Sequence, residues 1–147
     1  MKTRVRQTDP FRWEGVPVLP YKEEGTHFKG ITRQVLFEAA EGLGAQLRYF
    51  EIEPGGHSTL ERHDHVHSVM VVRGCGQCLV DTGIHDLRAN DLVYVPAQTW
   101  HQFRANCGEP LGFLCLVRSD RDEPERPDKA ALAALRADPT VGAFIRV

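Results

Sequence analysis

The chain has 147 residues, of which 41% are hydrophobic, 26% charged and 8% aromatic, a composition typical of one globular domain. Its formal charge of -2 excludes the large positive field that binds nucleic acid or an anionic membrane. No stretch has the roughly 20 apolar residues of a membrane-spanning helix, and the N-terminus lacks the apolar core of a secretory signal. We therefore expect a cytoplasmic protein with neither nucleic-acid nor membrane partners.

Residues 1–30 predict an irregular arm, because prolines and glycines interrupt them often and no helical period is present. A different pattern begins at residue 31. Short β-branched and aromatic runs, each bounded by Gly, Pro, Asn or Asp, predict strands at residues 31–38, 45–53, 66–73, 78–81, 92–95, 100–104 and 111–117. Since no helical segment separates these runs, the sequence predicts an antiparallel all-β sandwich or barrel over residues 31–118.

Residues 119–147 form a predicted tail. Pro127 and Asp128 are typical of a helix start, and the alanines and leucines that follow predict a short helix over residues 129–136. Asp138 and Pro139 are expected to end this helix. The apolar residues among 140–147 predict either an additional edge strand or a contact with a neighbouring subunit.

Histidines are concentrated in one segment, since four of the chain's seven lie between His57 and His67. On an extended strand, residues two apart share a face, so Glu61 and His63 project together. His67 joins them if residues 64–66 make a tight connection, and His101 is a fourth candidate on a distant apolar strand. Three imidazoles and one carboxylate suit a first-row divalent metal. The alternative is that the clustered histidines decorate a polar surface turn.

The spacing of these residues resembles the two short motifs of the cupins, small jelly-roll barrels built from two Greek keys. The first cupin motif is Gly, five residues, His, one residue, His, three or four residues, Glu, six residues, Gly. Here its positions are occupied by Gly55, Glu61, His63, His67 and Gly74. The second motif is laid from Asn90 and continues through Pro96, Gln98, His101 and Ala105. The resemblance implies a double-stranded β-helix, the cupin barrel, with an irregular N-terminal arm and a short C-terminal helix.

Two departures from the cupin pattern concern the metal ligands. Glu61 occupies the position of the first histidine, and His67 occupies that of the glutamate. The resemblance therefore implies a metal set of Glu61, His63, His67 and His101, in which the usual three imidazoles and one carboxylate appear in a permuted order.

Three other residues near the motifs are interpreted separately. Asn90 and Gln98 stand where the family has turn glycines. His65 lies in the predicted connection and is interpreted as an exposed residue or as a partner of a ligating histidine.

The resemblance implies a divalent transition metal, with iron or manganese as the first expectation and nickel, copper or zinc as alternatives. Similar cupins bind a bidentate oxygen ligand at open coordination positions and support dioxygenation, isomerisation, decarboxylation or lyase reactions. We therefore expect a metal-dependent enzyme, an oxidoreductase, isomerase or lyase that acts on a small oxygen-rich molecule. The alternative is a non-catalytic cupin that binds or senses a small molecule. The family also implies a homodimer.

Four cysteines are too few for a disulfide scaffold in a chain of this length, so we expect free thiols in a reducing compartment. Cys78 and Cys115 are interpreted as buried small hydrophobic residues. Cys75 and Cys78 have the two-residue spacing of redox and zinc motifs. A four-cysteine zinc site that adds Cys107 and Cys115 is a further, weaker alternative.

Overall fold

The computed structural model describes residues 3–38 and 42–147. Over this part of the chain, ten strands and two helices follow one another as β1 (Gln7–Asp9), β2 (Arg12–Trp13), β3 (Leu19–Pro20), β4 (Lys29–Phe37), β5 (Ala45–His57), β6 (His67–Val80), β7 (Gly83–Arg88), β8 (Leu92–Val95), β9 (His101–Arg104), β10 (Leu111–Arg118), α1 (Lys129–Ala137) and α2 (Pro139–Phe144). At the start of β6, buried and exposed residues alternate, as expected for a strand with one face on a core.

The strands close into a barrel whose described pairings are all antiparallel. Strand β10 pairs with both β5 and β6, and β9 also pairs with both β5 and β6, which completes the ring. Strand β4 extends the sheet beside β5, while β7 and β8 pair with β6. The predicted all-β jelly-roll barrel is confirmed.

Strand β6 is longer than the sequence predicted, because Gly74 lies inside it instead of ending it in a turn. Gly74 has a φ of 67°, and a Cβ atom there would collide with the carbonyl oxygen of Pro110. The glycine therefore lets the neighbouring chain approach closely while the strand continues. Residues 66–73 and 78–81, predicted as two strands, consequently belong to one.

Stacked aromatic rings fill the barrel interior. Phe113 stacks on Phe50 with centroids 5.5 Å apart and on Phe103 at 4.6 Å. Buried aliphatic residues from β4, β5, β6 and β10 surround these rings. Because each ring removes a large apolar area from water, this stack stabilises the wall of the cavity described below.

The N-terminal arm contains three short strands and covers part of the barrel. Strands β1 and β2 form a separate two-stranded sheet, and β3 pairs with β4. Phe11 and Trp13 contact the buried ring of Tyr49 at centroid distances of 5.5 and 5.2 Å. The arm is thus held by aromatic packing more than by backbone pairing.

The tail contains a second helix where the sequence predicted either an edge strand or a contact with a neighbouring subunit. Helix α1 begins at Lys129 and is capped by Asp128, whose carboxylate accepts a hydrogen bond from the backbone N–H of Ala131. Its extent agrees with the prediction. The prediction of an edge strand over residues 140–147 is wrong, because Asp138 caps α2 and Pro139 occupies the first turn of that helix. Within residues 3–38 and 42–147, no helix has the length and apolar character needed to span a membrane.

The apolar residues of this second helix pack on the chain's own barrel. Val141, Phe144 and Ile145 form a buried cluster with Leu60 and Leu79. This contact buries Val141, Phe144 and Ile145 on the chain's own barrel, whereas Val147 is exposed.

Two cysteines expected as free thiols are joined, since Cys75 forms a disulfide with Cys107. The cause is the register of β6 against β9, which pairs Gln77 with Arg104 and so brings the residues just beyond this pair near each other. The Cα atoms of the two cysteines are 6.0 Å apart, a normal distance for a bridge. Cys78 and Cys115 are free and buried, as expected, so neither the Cys75–Cys78 redox pair nor the four-cysteine zinc site is present.

Candidate metal centre

Three of the four predicted ligands meet at one end of the barrel. His67 and His101 are the first residues of β6 and β9, and His63 lies in the connection between β5 and β6. One ring nitrogen from each of these histidines lies within 4.8 Å of the others. All three side chains are buried, so the interpretation of a polar surface turn does not hold for them.

The backbone holds the connection that carries His63. Glu61 pairs with His101 through two backbone hydrogen bonds of 3.2 and 3.0 Å, and the N–H of Gln98 donates to the carbonyl of His63 at 2.7 Å. Gln98 has a φ of 54° and Asn90 a φ of 78°, the left-handed conformation that favours glycine. Both turns of the second motif therefore keep their shape although their glycines are replaced.

Hydrogen bonds at the outer nitrogens define the tautomers of two rings. Nδ1 of His63 lies 2.6 Å from the carbonyl oxygen of His65, and Nδ1 of His101 lies 2.9 Å from that of Thr99. Because a carbonyl only accepts, each Nδ1 carries the proton. The Nε2 atom of each ring then has a free lone pair, which is the arrangement of metal-ligating histidines.

Buried, neutral imidazoles make this cluster suited to a cation. Burial, with His101 and His65 nearby, lowers the pKa of His63 to about 4. Burial also lowers the pKa values of His67 and His101. Nε2 of His67 lies 3.0 Å from Nε2 of His63, so two ring nitrogens face each other in a buried site. A divalent metal among the three rings would accept all three lone pairs, and the residues therefore fit such an ion.

Glu61 lines the cavity beside the histidines, which is described below, but it does not belong to the group of three histidines. Its carboxylate forms an ion pair with Lys22, with Nζ and Oε2 2.7 Å apart, and its side chain is only 10% exposed. The role of Glu61 as a fourth ligand stays a prediction, because the described contacts join its carboxylate to a lysine.

His65 supports the cluster from outside, as one of its two interpretations predicted. Its ring stacks on that of His63 with centroids 3.6 Å apart. Its Nδ1 donates to a carboxylate oxygen of Asp122 at 2.8 Å, and the residue is buried instead of exposed. His65 therefore fixes the plane of a candidate ligand.

Asp122 is a residue of the candidate site that sequence reasoning missed. Its carboxylate accepts hydrogen bonds from the backbone N–H groups of Asp64, at 2.8 Å, and His65, at 3.0 Å, besides the His65 ring. These bonds, first of all that from Asp64, hold the pKa of Asp122 well below its ordinary value. No local pattern marks Asp122, because its partners lie in a distant segment of the chain.

A cavity of about 290 Å³ opens beside the histidines, close to the lower limit of small-molecule sites. Its apolar wall includes Phe50, Val69, Phe103 and Phe113. Such a wall excludes water, which strengthens polar contacts to a bound ligand.

Cys115 contributes a thiol to this cavity. Its Sγ atom lies 3.1 Å from Nδ1 of His67 and 3.6 Å from a guanidinium nitrogen of Arg48. Burial raises the pKa of the thiol, although Arg48 opposes this shift. Cys115 therefore links a candidate metal ligand to a cationic side chain.

Comparison with known proteins agrees with this architecture. The sequence profile of the Cupin domain family matches residues 48–117. A 1-methylthio-D-xylulose 5-phosphate methylsulfurylase from Rhodospirillum rubrum is 53% identical over 136 residues, which span 92% of this chain and 86% of that protein.

Two crystal structures are similar along most of the chain. A cupin 2 conserved barrel domain protein from Rhodopseudomonas palustris is 51% identical with a TM-score of 0.94, covering 99% of this chain and 100% of that one. A cupin-2 domain protein from Rhodospirillum rubrum is 52% identical with a TM-score of 0.86, covering 92% of this chain and 91% of that one. This chain therefore belongs to the cupin family.

Proposed function

We propose that this protein is a metal-dependent enzyme of carbon–sulfur chemistry that acts on a small, phosphorylated keto sugar bearing a methylthio group. The similarity to the methylsulfurylase of Rhodospirillum rubrum, at 53% identity over 86% of that protein, supports the substrate class. This proposal narrows the expected oxygen-rich substrate to a ketose phosphate, which offers adjacent carbonyl and hydroxyl oxygens.

The observation that carries the proposal is the convergence of three imidazoles on one side of the cavity. His63, His67 and His101 would hold the metal, with iron or manganese as the expected ion. When bound, the metal would act as a Lewis acid that polarises a carbonyl oxygen of the ligand.

The side chains around the imidazoles are suited to bind and orient such a substrate. His65 and Asp122 hold the ring of His63 in its plane, which favours a fixed coordination geometry. The apolar wall excludes water from the reacting carbons. The Cys115 thiol brings a sulfur atom into the cavity, next to His67, where it would contact a sulfur-bearing group.

The test is turnover of 1-methylthio-D-xylulose 5-phosphate by the metal-loaded protein with an added thiol. Cleavage of the carbon–sulfur bond would transfer the methylthio group to the thiol sulfur as a mixed disulfide, and the thiol hydrogen would go to the carbon. We expect a new phosphate-ester signal in ³¹P NMR with the unmodified protein and its loss in His101→Ala. The matched control is His85→Ala, which removes an exposed histidine of β7 and should leave turnover unchanged. Tight binding of the compound without any conversion at full metal occupancy would overturn the proposal and favour the non-catalytic binding cupin.

A further inference from the structure

Three arginines line the cavity that holds the candidate metal ligands. Arg33 belongs to β4, Arg48 to β5, and Arg121 follows β10. Arg121 is exposed, whereas Arg33 and Arg48 are partly buried, so the group extends from the interior to the opening. The three side chains come from separate segments, and only the closed barrel brings them to one cavity.

The hydrogen-bond partners of these arginines are neutral. Arg33 donates to the carbonyl of Pro20 at 3.2 Å. Arg121 donates to the carbonyl of Arg118 and to the amide oxygen of Gln46, both at 3.3 Å.

Arg48 has no oxygen partner in the described chain, although its guanidinium carbon lies 4.8 Å from the ring centroid of Phe50. It contacts the sulfur of Cys115, and its Nε atom is buried without a hydrogen-bond partner. A buried polar nitrogen without a partner is costly and requires an explanation.

The carboxylates of the cavity are engaged with other groups. Glu61 pairs with Lys22, and Asp122 binds His65 and the backbone next to it. Among residues 3–38 and 42–147, the ion pairs within 4.0 Å join other partners and include none of the three arginines. Three guanidinium groups therefore share one cavity without a paired carboxylate in the described chain.

Arg48 and Arg33 both lie close enough to Arg121 to affect its charge. Burial first, and then Arg48 and Arg33, lower the pKa of Arg121, although Cys115 and the carboxylate of Glu38 oppose this shift. Like charges in a partly apolar cavity repel each other, and a bound anion relieves that repulsion. Guanidinium groups match the oxygens of phosphate in geometry as well as in charge.

We propose that Arg33, Arg48 and Arg121 form a phosphate subsite that binds the phosphate ester of the substrate while its sugar oxygens face the histidines. This assignment rests on the proposed function for the identity of the sugar, but the anion site itself rests on the arginines. The contacts from His67 through Cys115 to Arg48 show that the two ends of the cavity are adjacent. A small phosphorylated molecule therefore reaches both ends within about 290 Å³.

The experiment measures binding of D-xylulose 5-phosphate, D-xylulose and inorganic phosphate to the metal-loaded protein by calorimetry. The variants are Arg121→Gln, Arg33→Gln and Arg48→Lys. The lysine keeps the positive charge but lacks the planar guanidinium group with its paired N–H donors. The control is Arg118→Gln, whose side chain is exposed and pairs with Asp120 outside the cavity. We expect each cavity variant to weaken D-xylulose 5-phosphate about ten- to hundredfold, while D-xylulose binding and metal content stay unchanged.

The outcomes separate this proposal from the proposed function. If the variants bind D-xylulose 5-phosphate and inorganic phosphate as tightly as the unmodified protein does, the subsite is refuted even where turnover is observed. If the unmodified protein binds D-xylulose 5-phosphate but shows no turnover, and the variants bind it more weakly, the subsite stands and the proposed function fails. An equal loss of D-xylulose and D-xylulose 5-phosphate binding would indicate a general distortion of the cavity and would also refute the subsite.

Discussion

Replacement of Asp122 by alanine tests whether metal binding depends on the residues behind the ligands. The variant removes the acceptor of three hydrogen bonds, two from the backbone of Asp64 and His65 and one from the His65 ring. The connection that carries His63 then loses one of its anchors but keeps its backbone bonds to His101 and Gln98, and the stacked ring of His65 becomes free to move. We expect the metal to be bound more weakly, with little change in the barrel.

The size of this effect follows from which contacts remain. Loss of a partner behind a metal-ligating histidine lowers affinity about 10- to 100-fold. In Asp122→Ala, His63 keeps its 2.6 Å hydrogen bond to the His65 carbonyl, so the tautomer that presents Nε2 survives. We therefore expect the lower end of the range, about tenfold.

Competition between the protein and a chelating dye for Mn²⁺ measures this change. The matched control is Asp120→Ala, which removes a neighbouring exposed carboxylate that pairs with Arg118. Unchanged Mn²⁺ affinity in a folded Asp122→Ala protein would show that the His65–Asp122 pair has no part in metal binding.

Three further predictions concern the stability of the barrel and the number of chains in the protein. Gly74→Ala should lower the free energy of unfolding by about 2 kcal/mol more than Gly108→Ala. Both glycines have positive φ, but only at Gly74 does a Cβ meet the Pro110 carbonyl. An equal decrease of the melting temperature in the two variants would contradict this prediction. Cys107→Ser should lower the unfolding free energy by about 3–4 kcal/mol, because the Cys75–Cys107 bridge closes a loop of 32 residues; chemical denaturation curves that coincide would refute it. Light scattering should give twice the 16.5 kDa monomer mass; a monomer at micromolar concentration would exclude the expected homodimer.

The sequence predicted the parts of this molecule that depend on local spacing. The spacing of the two motifs predicted that His63, His67 and His101 would lie together, whereas two-residue alternation also grouped Glu61 with His63, and the short β-branched and aromatic runs divided β6 into two strands. Asp122 and the Cys75–Cys107 bridge depend on which distant segments become neighbours, so no local pattern could reveal them.

The errors arise where one local signal has two physical meanings. Asp138 and Pro139 end α1 as predicted, but the same residues cap and begin α2, so the apolar residues after them are helical. Gly74 is typical of a turn, yet in β6 it serves a close approach of two chains. In each case a contact with a distant part of the chain accompanies the observed structure: Phe144 packs on Leu60 and Leu79, and Gly74 lies against the Pro110 carbonyl.

The most direct test of the account is anomalous diffraction from crystals of the Mn²⁺-loaded protein. We predict one anomalous peak at ligand distance from the Nε2 atoms of His63, His67 and His101. A metal bound elsewhere, or three histidines with no common peak at full occupancy, would contradict the account.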